Sequence, residues 1–273
     1  MADRQTVSVE KGLHVLSFSG SEPLKGYGRL YIGDDFCERL TPDAAGLGKI
    51  LDFIRHSGKR LTLLTAYYTE KGLENLKPVL ETLNSCGLGA EVVANDLGVL
   101  RILNNSFPNL IPVSGRLNTS ILMHPFFSDW RIFNPDGKIR EFYRKRFCPA
   151  DEYFEFLREN RIRRVEFDSI FALPLFAERF VREDVAVSLY HPFTYFTTSR
   201  RCLFAGRKAF SSKFALLGCK KECLDYRLVL QNRSLGQKIF VKGNAQFICR
   251  KPDWDIPAEC EKWGVDRIIE FTH

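Results

Sequence analysis

Three of the eight cysteines of this chain lie within positions 201–223, "RCLFAGRKAFSSKFALLGCKKEC". Seventeen positions separate Cys202 from Cys219, and four separate Cys219 from Cys223. Structural zinc sites more usually show two close Cys-x-x-Cys pairs, whereas iron–sulfur clusters are held by four thiolates in family-specific spacings. Buried cysteines can also serve simply as small hydrophobic side chains. The spacing alone therefore leaves zinc, iron–sulfur and unrelated thiols open, and a fourth ligand has to come from elsewhere.

The cellular compartment decides how a cluster of cysteines is interpreted. The amino-terminal "MADRQTVSVEKG" lacks the charged segment and apolar run of a signal peptide. No apolar stretch approaches the roughly 20 residues that a membrane span needs. We therefore expect a cytoplasmic protein without a membrane span, in which thiols stay reduced and cysteine clusters are more often metal sites than disulfides.

Buried-type strands alternate with amphipathic helices along most of the 273 residues. Examples are "RLYIG" (29–33), "RLTLLTAYY" (60–68) and "AEVVAND" (90–96), which are separated by helical patterns. This alternation predicts a parallel α/β sheet, and an open doubly wound sheet and a closed barrel both fit the length. No Gly-x-Gly-x-x-Gly follows the first of these strands, so the usual dinucleotide signature is missing. We predict one domain over 1–273, with a small antiparallel β-hairpin insertion around 224–250.

Polar side chains follow several of these strands, where functional groups of parallel α/β folds gather. They are Asp34, Asp35 and Cys37 after "LYIG", Asn95 and Asp96 after "EVVA", Arg116 and Asn118 after "LIPVSG", and His191 after "VSLY". Asp96, Asn118 and His191 are the catalytic candidates. For Asp96 the alternative is a helix cap, and for His191 it is a hydrogen-bonded structural residue.

Basic residues form three short runs in a chain of net charge +7. They lie at 138–146, 158–164 and 200–208, and the third run flanks the cysteines. Such runs can contact nucleic acid, although a solvated surface is the more common explanation. The chain has no Gly-x-Ser-x-Gly or His-Glu-x-x-His, which makes a peptidase the least favoured class.

The segment "SRRCLFAGRK…CKKECLDY" resembles the cysteine region of the collagenase-like U peptidase family, in its UbiV-like ubiquinone-biosynthesis branch. The resemblance extends to "LYIGDDFC", "EVVANDLGVL", "VSGRLN", "GQKIFVKGNAQF" and "GVDRIIEF". It covers nearly the whole chain at low identity. Within it, "LYIGDDFC" corresponds to the first strand of the family, and its cysteine is Cys37.

The resemblance implies a TIM-barrel-like fold with a 4Fe–4S cluster held by Cys37, Cys202, Cys219 and Cys223. It also implies a role in oxygen-independent, anaerobic hydroxylation of ubiquinone-biosynthesis type, on a small-molecule or isoprenoid-quinone substrate. The expected partner is a UbiU-like homologue, in a heterodimer. Other relatives hydroxylate tRNA or rRNA, so an RNA hydroxylation factor is the alternative, with Arg140, Arg144, Lys145, Arg146, Arg200 and Arg201 on phosphates.

Two further expectations concern the remaining cysteines and the kind of metal. We expect Cys86, Cys148, Cys249 and Cys260 to be structural thiols that take no part in metal binding. A zinc-bound scaffold without catalytic activity remains a further alternative to the iron–sulfur interpretation.

Overall fold

The computed structural model describes residues 9–20, 24–118, 150–168, 173–200, 202–205, 218–232, 237–249 and 256–271. Its strands are β1 Glu10–Val15, β2 Arg29–Gly33, β3 Arg60–Leu64, β4 Glu91–Ala94, β5 Ile111–Ser114, β6 Arg164–Phe167, β7 Ala186–His191, β8 Phe193–Thr198, β9 Leu228–Asn232, β10 Gln237–Lys242, β11 Ala245–Cys249 and β12 Val265–Phe271. Eight of them, β1 to β7 and β12, pair in parallel and close into a barrel. The predicted TIM-barrel-like α/β fold is confirmed.

Helices lie between the barrel strands, and their ends follow from local sequence signals. They are α1 Ala44–Ser57, α2 Glu70–Ser85, α3 Leu97–Ser106, α4 Asp151–Glu159, α5 Leu173–Arg182 and α6 Ile256–Lys262. Asp43 caps α1 by accepting from the backbone N–H of Gly46, and Gly58 ends that helix in the left-handed conformation. Among the described residues, no helix is both long and apolar enough to cross a membrane.

Alternation along the strands divides the apolar side chains between two cores. In β2, Leu30 and Ile32 pack in the large cluster that includes the helices, whereas Tyr31 belongs to a separate cluster of six strand residues. The other five members of that cluster are Leu64, Val93, Val113, Tyr190 and Ile269. The barrel interior is therefore filled by side chains, and access to its chemistry is confined to its ends.

The amino-terminal end of the barrel is closed by charged side chains. Glu91 accepts hydrogen bonds from Arg267 Nη1 at 2.7 Å and Nη2 at 3.0 Å, and Arg267 Nε donates to Glu10 at 2.7 Å. Arg29 Nη1 lies 3.2 Å from the same Glu91 carboxylate. Because these charges are buried, their pairing is what makes their burial tolerable.

A second sheet is inserted between the last two barrel strands and is antiparallel, in the order β8-β11-β10-β9. Its aromatic side chains pack against the carboxyl end of the barrel: Phe36, in the connection after β2, stacks on Tyr195 and meets the edge of Phe247. The sequence predicted the strands that became β9, β10 and β11, but not β8. The sheet therefore covers the barrel mouth and begins before the cysteine region, not only after it.

The first barrel strand also differs from the expectation. "RLYIG" was predicted to be the first strand, but β1 precedes it and pairs with both β2 and β12. Cys37 accordingly follows the second barrel strand. Its position beyond the carboxyl end of a strand is unchanged, which is the feature on which its predicted role depends.

Candidate metal centre

Four of the eight cysteines come together at the carboxyl end of the barrel. Cys37 follows β2, Cys202 follows β8, and Cys219 and Cys223 precede β9. Cys37, Cys202 and Cys223 share one apolar cluster, whose other members are Leu16, Leu40, Phe204, Ile239 and Val241. Cys219 interacts electrostatically with Cys202 and Cys223. The structure therefore brings together the four thiols that the resemblance selected.

Backbone amides surround the sulfur atoms of this group in a repeated pattern. The N–H of Lys221 donates to Cys219 Sγ at 3.3 Å. The N–H of Arg39 donates to the Cys37 thiol and that of Phe204 to the Cys202 thiol. In each case the donor is two residues beyond the cysteine. Such hydrogen bonds favour the thiolate and tune the reduction potential of a bound iron–sulfur cluster.

Burial opposes the thiolate form in the absence of a cation. Burial, together with the charge of Asp34, raises the pKa of Cys37 to about 12. Burial and the neighbouring thiols raise the pKa of Cys223 to about 11, and burial also raises the pKa of Cys202. A positively charged metal centre would offset this penalty, so its binding would displace protons from these thiols.

A single metal ion and a cluster place different demands on their donors. Among the described residues, no group of three or more His, Cys, Asp or Glu side chains converges closely enough to hold one metal ion. A cubane cluster has a different requirement, because each thiolate binds a separate iron and the thiolates surround a volume. Four neighbouring thiols, three of them in one apolar cluster, are the donors that such a centre needs, and they suit iron better than a hard cation.

The turn between β10 and β11 connects three of the cysteine-bearing segments. Asn244 Nδ2 donates to the carbonyl oxygen of Phe36 at 2.7 Å and to that of Ser199 at 2.8 Å. The N–H of Ser199 donates back to Asn244 O at 3.0 Å. Gly243, at φ +58°, lies so close to Cys223 that a Cβ there would be 3.9 Å from its sulfur. This turn therefore holds the neighbours of Cys37, Cys202 and Cys223 in register.

A buried polar network lies beside the cysteines at the barrel mouth. The carboxylate of Asp35 accepts from Asn95 Nδ2 at 2.8 Å and from Arg116 Nη2 at 2.8 Å and Nε at 3.1 Å. The Arg116 guanidinium lies 3.8 Å from the ring centroid of Tyr190. A Cβ on Gly115 would lie 2.2 Å from Asn95 Oδ1, so only glycine fits against this amide. The buried charges of Asp35 and Arg116 are therefore paired with each other.

Two ionisable groups near the cysteines titrate close to neutrality. Burial, with the charge of Asp35, raises the pKa of Asp34 to about 6, even though Asp34 Oδ1 accepts from the N–H groups of Phe36 and Cys37. Burial lowers the pKa of Lys242 to about 7, against the opposing charge of Asp34. Groups with such values can exchange protons at physiological pH.

The three catalytic candidates from the sequence have structural contacts. Asp96 caps α3, with Oδ1 accepting from the N–H of Gly98 and Oδ2 from that of Tyr68. The cap interpretation is therefore confirmed. Asn118 Nδ2 donates to Ala94 O at 2.7 Å, and His191 ends β7 at a cis peptide bond to Pro192.

The remaining predicted residues fall into two groups. Cys86 follows α2, Cys249 ends β11 and Cys260 is buried in α6, all outside the apolar cluster that holds Cys37. Arg200 is exposed. Cys148 and five of the predicted phosphate contacts lie outside the described residues: Arg140, Arg144, Lys145, Arg146 and Arg201.

Sequence reasoning missed the residues that the antiparallel sheet and the sixth strand bring to this end of the barrel. Asn244 and Lys242 come from the β10–β11 hairpin, and Asp168 accepts from the N–H of Tyr195 at 2.7 Å. Asp168 had a usable signal, because it ends the strand-like run "RRVEFD". Asn244 had only the signal of a Gly-Asn turn. Such a turn predicts a hairpin, but not the residues to which Asn244 donates hydrogen bonds.

Comparisons with known proteins add little to this description. No family model matches the chain, and neither does any curated protein. Among solved structures, the chain is similar to a GH18 chitinase from Cycas revoluta in complex with (GlcNAc)3, at 10% identity over 89% of this chain and 74% of that chain. The TM-score is 0.25, so this likeness carries no argument about function.

Proposed function

We propose that this protein holds a 4Fe–4S cluster through Cys37, Cys202, Cys219 and Cys223 and supports an oxygen-independent hydroxylation of ubiquinone-biosynthesis type. The observation that carries the proposal is the proximity of these four thiols, which come from three segments of the chain. Neither the spacing in the sequence nor the barrel fold requires such a convergence. Three of the four sulfurs also accept backbone N–H groups, which is expected of sites that keep thiolates.

A cluster with four thiolate ligands would supply one-electron transfer, since its irons have no open protein-facing position. The protein residues around it have separate tasks. The Asn244 turn and the amides of Arg39, Phe204 and Lys221 orient the thiols. Asp34 and Lys242 are the nearby groups able to accept or donate a proton near neutral pH.

The wider assignment follows from the sequence resemblance and is part of the proposal. It comprises a small-molecule or isoprenoid-quinone substrate, a heterodimer with a UbiU-like homologue and a cytoplasmic location. Co-expression with such a homologue tests the heterodimer: a stable 1:1 complex supports it, whereas two separately migrating proteins contradict it.

An RNA hydroxylation factor is the alternative. The observation that favours it is the exposed Arg200, two residues before Cys202. Phosphate contacts make RNA binding fall steeply as the salt concentration rises. Salt-sensitive binding to tRNA or rRNA fragments, together with cluster-dependent RNA hydroxylation, would replace the quinone assignment and leave the cluster assignment intact.

The decisive experiment for the substrate is a hydroxylation assay without oxygen. Cells that lack the gene are grown anaerobically, and their quinone intermediates and RNA nucleosides are compared by mass spectrometry. Accumulation of an under-hydroxylated quinone precursor, restored by the wild-type gene and not by Cys219→Ala, supports the proposal. Unchanged quinones in the mutant cells contradict it.

A further inference from the structure

An exposed apolar surface lies beside the four cysteines. It consists of Leu203, Leu224, Tyr226, Leu228 and Leu230, hereafter the cysteine-side patch, with relative exposures of 60, 40, 37, 39 and 41%. Leu203 directly follows Cys202, and Leu224 directly follows Cys223. Because the cysteines come together, the patch borders the proposed cluster. Large exposed apolar side chains grouped in this way are typical of a binding surface.

Strand β9 contributes to this patch as an edge strand with exposed apolar side chains. Within the described sheet it pairs with β10 and has no strand on its other side. Neighbouring residues of a strand point to opposite faces, yet Leu228, Val229 and Leu230 are all exposed. Natural proteins usually protect an edge strand of this kind with charges, bulges or a covering segment. An exposed apolar edge therefore favours a partner surface over ordinary solvent contact.

The charge around the patch is predominantly positive. In the described parts of 199–205 and 218–232, the exposed basic residues are Arg200, Lys220, Lys221 and Arg227. The exposed acid in the same segments is Asp225, since Glu222 is buried and accepts from the N–H of Lys220. A positive rim around an apolar centre selects a partner whose surface is acidic.

We propose that the cysteine-side patch docks a small acidic electron-carrier protein that reduces the cluster. This inference rests on the proposed function, because an electron needs a receiving centre. One electron leaves the carrier, which is oxidised, and enters the cluster, which is reduced; no covalent bond forms or breaks. Cys202 and Cys219 are half-buried, and Cys202 directly precedes Leu203 of the patch, so docking there gives the electron a short path.

The chemistry of the patch favours a protein over RNA as its occupant. Surfaces that bind single-stranded nucleic acid place aromatic rings among their basic residues, so that bases can stack on them. Here four leucine side chains make up most of the patch, and Tyr226 is its one aromatic side chain. Aliphatic side chains of this kind match the apolar core of a protein–protein interface with a polar rim.

The test measures binding of the iron-loaded protein to a plant-type [2Fe–2S] ferredoxin, an acidic one-electron carrier, and to cytochrome c, a basic one. We expect ferredoxin to bind, to dissociate as salt is added, and to reduce the protein when it is itself reduced. Lys220→Glu with Arg227→Glu should weaken this binding by about tenfold or more at low salt. The matched control is Lys49→Glu with Lys77→Glu, two exposed lysines on α1 and α2.

A second pair of variants tests the apolar centre without touching a charge. Leu230→Ser should weaken ferredoxin binding, whereas Leu97→Ser, at a 65% exposed leucine on α3, should not. Iron content is measured for every variant, so that a folding defect is seen directly.

The outcomes separate this inference from the proposal on which it rests. Iron-loaded wild-type protein that fails to bind ferredoxin, or that binds it equally well in the charge-reversed variant, overturns the docking inference alone. Binding of cytochrome c or of a short single-stranded RNA in place of ferredoxin also overturns it. A wild-type protein that takes up no iron overturns both proposals.

Discussion

The side-chain amide of Asn244 donates a hydrogen bond of 2.7 Å to the carbonyl oxygen of Phe36, a residue 208 positions earlier in the chain. Phe36 directly precedes Cys37, and the second hydrogen of the same amide reaches Ser199, three residues before Cys202. One side chain thus joins two segments whose thiols must stand at fixed positions. The antiparallel sheet serves the site by delivering this amide.

Replacing Asn244 by alanine should loosen the cysteine arrangement. The substitution removes two donors from backbone carbonyl groups, at a cost of roughly 1 kcal/mol for a partly exposed site. In competition with a chelator, the retention of iron by the protein should fall roughly fivefold, which is the change that a free-energy loss of this size predicts. The measurement is the rate of iron loss from anaerobically purified protein, with thermal unfolding of the iron-free form as a second readout.

The control for this variant is Asn104→Ala. Asn104 also uses its amide between distant segments, donating to Asn160 Oδ1 at 2.8 Å, but far along the chain from any of the four cysteines. It should destabilise the fold without accelerating iron loss. Equal iron loss in both variants would show that Asn244 acts through general stability and not on the site.

The four predicted ligands should behave differently from the other cysteines. Cys37→Ala should lose or degrade the cluster as severely as Cys219→Ala, because a thiolate ligand cannot be replaced by a methyl group. Cys86→Ala, Cys148→Ala and Cys260→Ala should keep iron near the wild-type content. Iron and acid-labile sulfide per chain are measured for each. Full iron in Cys37→Ala, with loss in Cys148→Ala or Cys249→Ala, would mean that the fourth ligand is misassigned.

The barrel was predictable because its strands are buried on both faces and therefore appear as continuous apolar runs. "RLYIG" and "RLTLL" correspond to β2 and β3. Strand β1 was missed because no helix separates it from β2 in the described residues, so the strand–helix alternation begins only afterwards. Strand β8 was missed because it follows β7 after a single proline, without an intervening helix.

The thiols of the candidate site could be predicted from the sequence, whereas the residues that hold those thiols in position could not. Cysteine is rare and chemically distinctive, so three thiols in one segment and Cys37 at a strand end can be recognised from the sequence. Asn244 is a common residue in a turn, and its contacts to Phe36 and Ser199 arise only when the sheet folds over the barrel. Asp96 was a catalytic candidate from its position at a strand end, with a helix cap as the alternative, and its carboxylate caps α3.

The charged end of the barrel should make the fold sensitive to acid. Burial alone would raise the pKa of Glu91, but hydrogen bonds and charge from Arg267, with Arg29, lower it from 4.5 to about 2. Its stabilising contribution, ~3 kcal/mol, is therefore complete above about pH 4.5 and is lost as the pH falls towards 2. Chemical denaturation across this range should show that Glu91→Gln is less stable than wild type near neutrality. Its free energy of unfolding should also decrease less than that of the wild type as the pH is lowered. Glu74→Gln, at an exposed position on α2, should follow the wild type throughout.

The carboxyl of Glu166 should have the opposite pH dependence. Burial, with the charge of Asp35, raises its pKa from 4.5 to about 8, and Tyr190 donates to it at 3.0 Å. The folded protein therefore holds a proton that the unfolded chain loses above about pH 4.5, so this group disfavours folding increasingly as the pH rises towards 8. Glu166→Gln, which is neutral at every pH, should gain stability relative to wild type between about pH 5 and about pH 9. A constant difference between the two proteins over that range, as expected for the exposed Glu155→Gln, would contradict a raised pKa.

The central claim is that the four thiols hold an iron–sulfur cluster. The direct measurement is purification under strictly anaerobic conditions, followed by iron, sulfide and zinc analysis and a visible absorption spectrum. The account predicts a brown, oxygen-sensitive protein with about four irons and four sulfides per chain, as a cubane with four cysteine ligands requires. Stoichiometric zinc without iron, and a colourless protein, would contradict it.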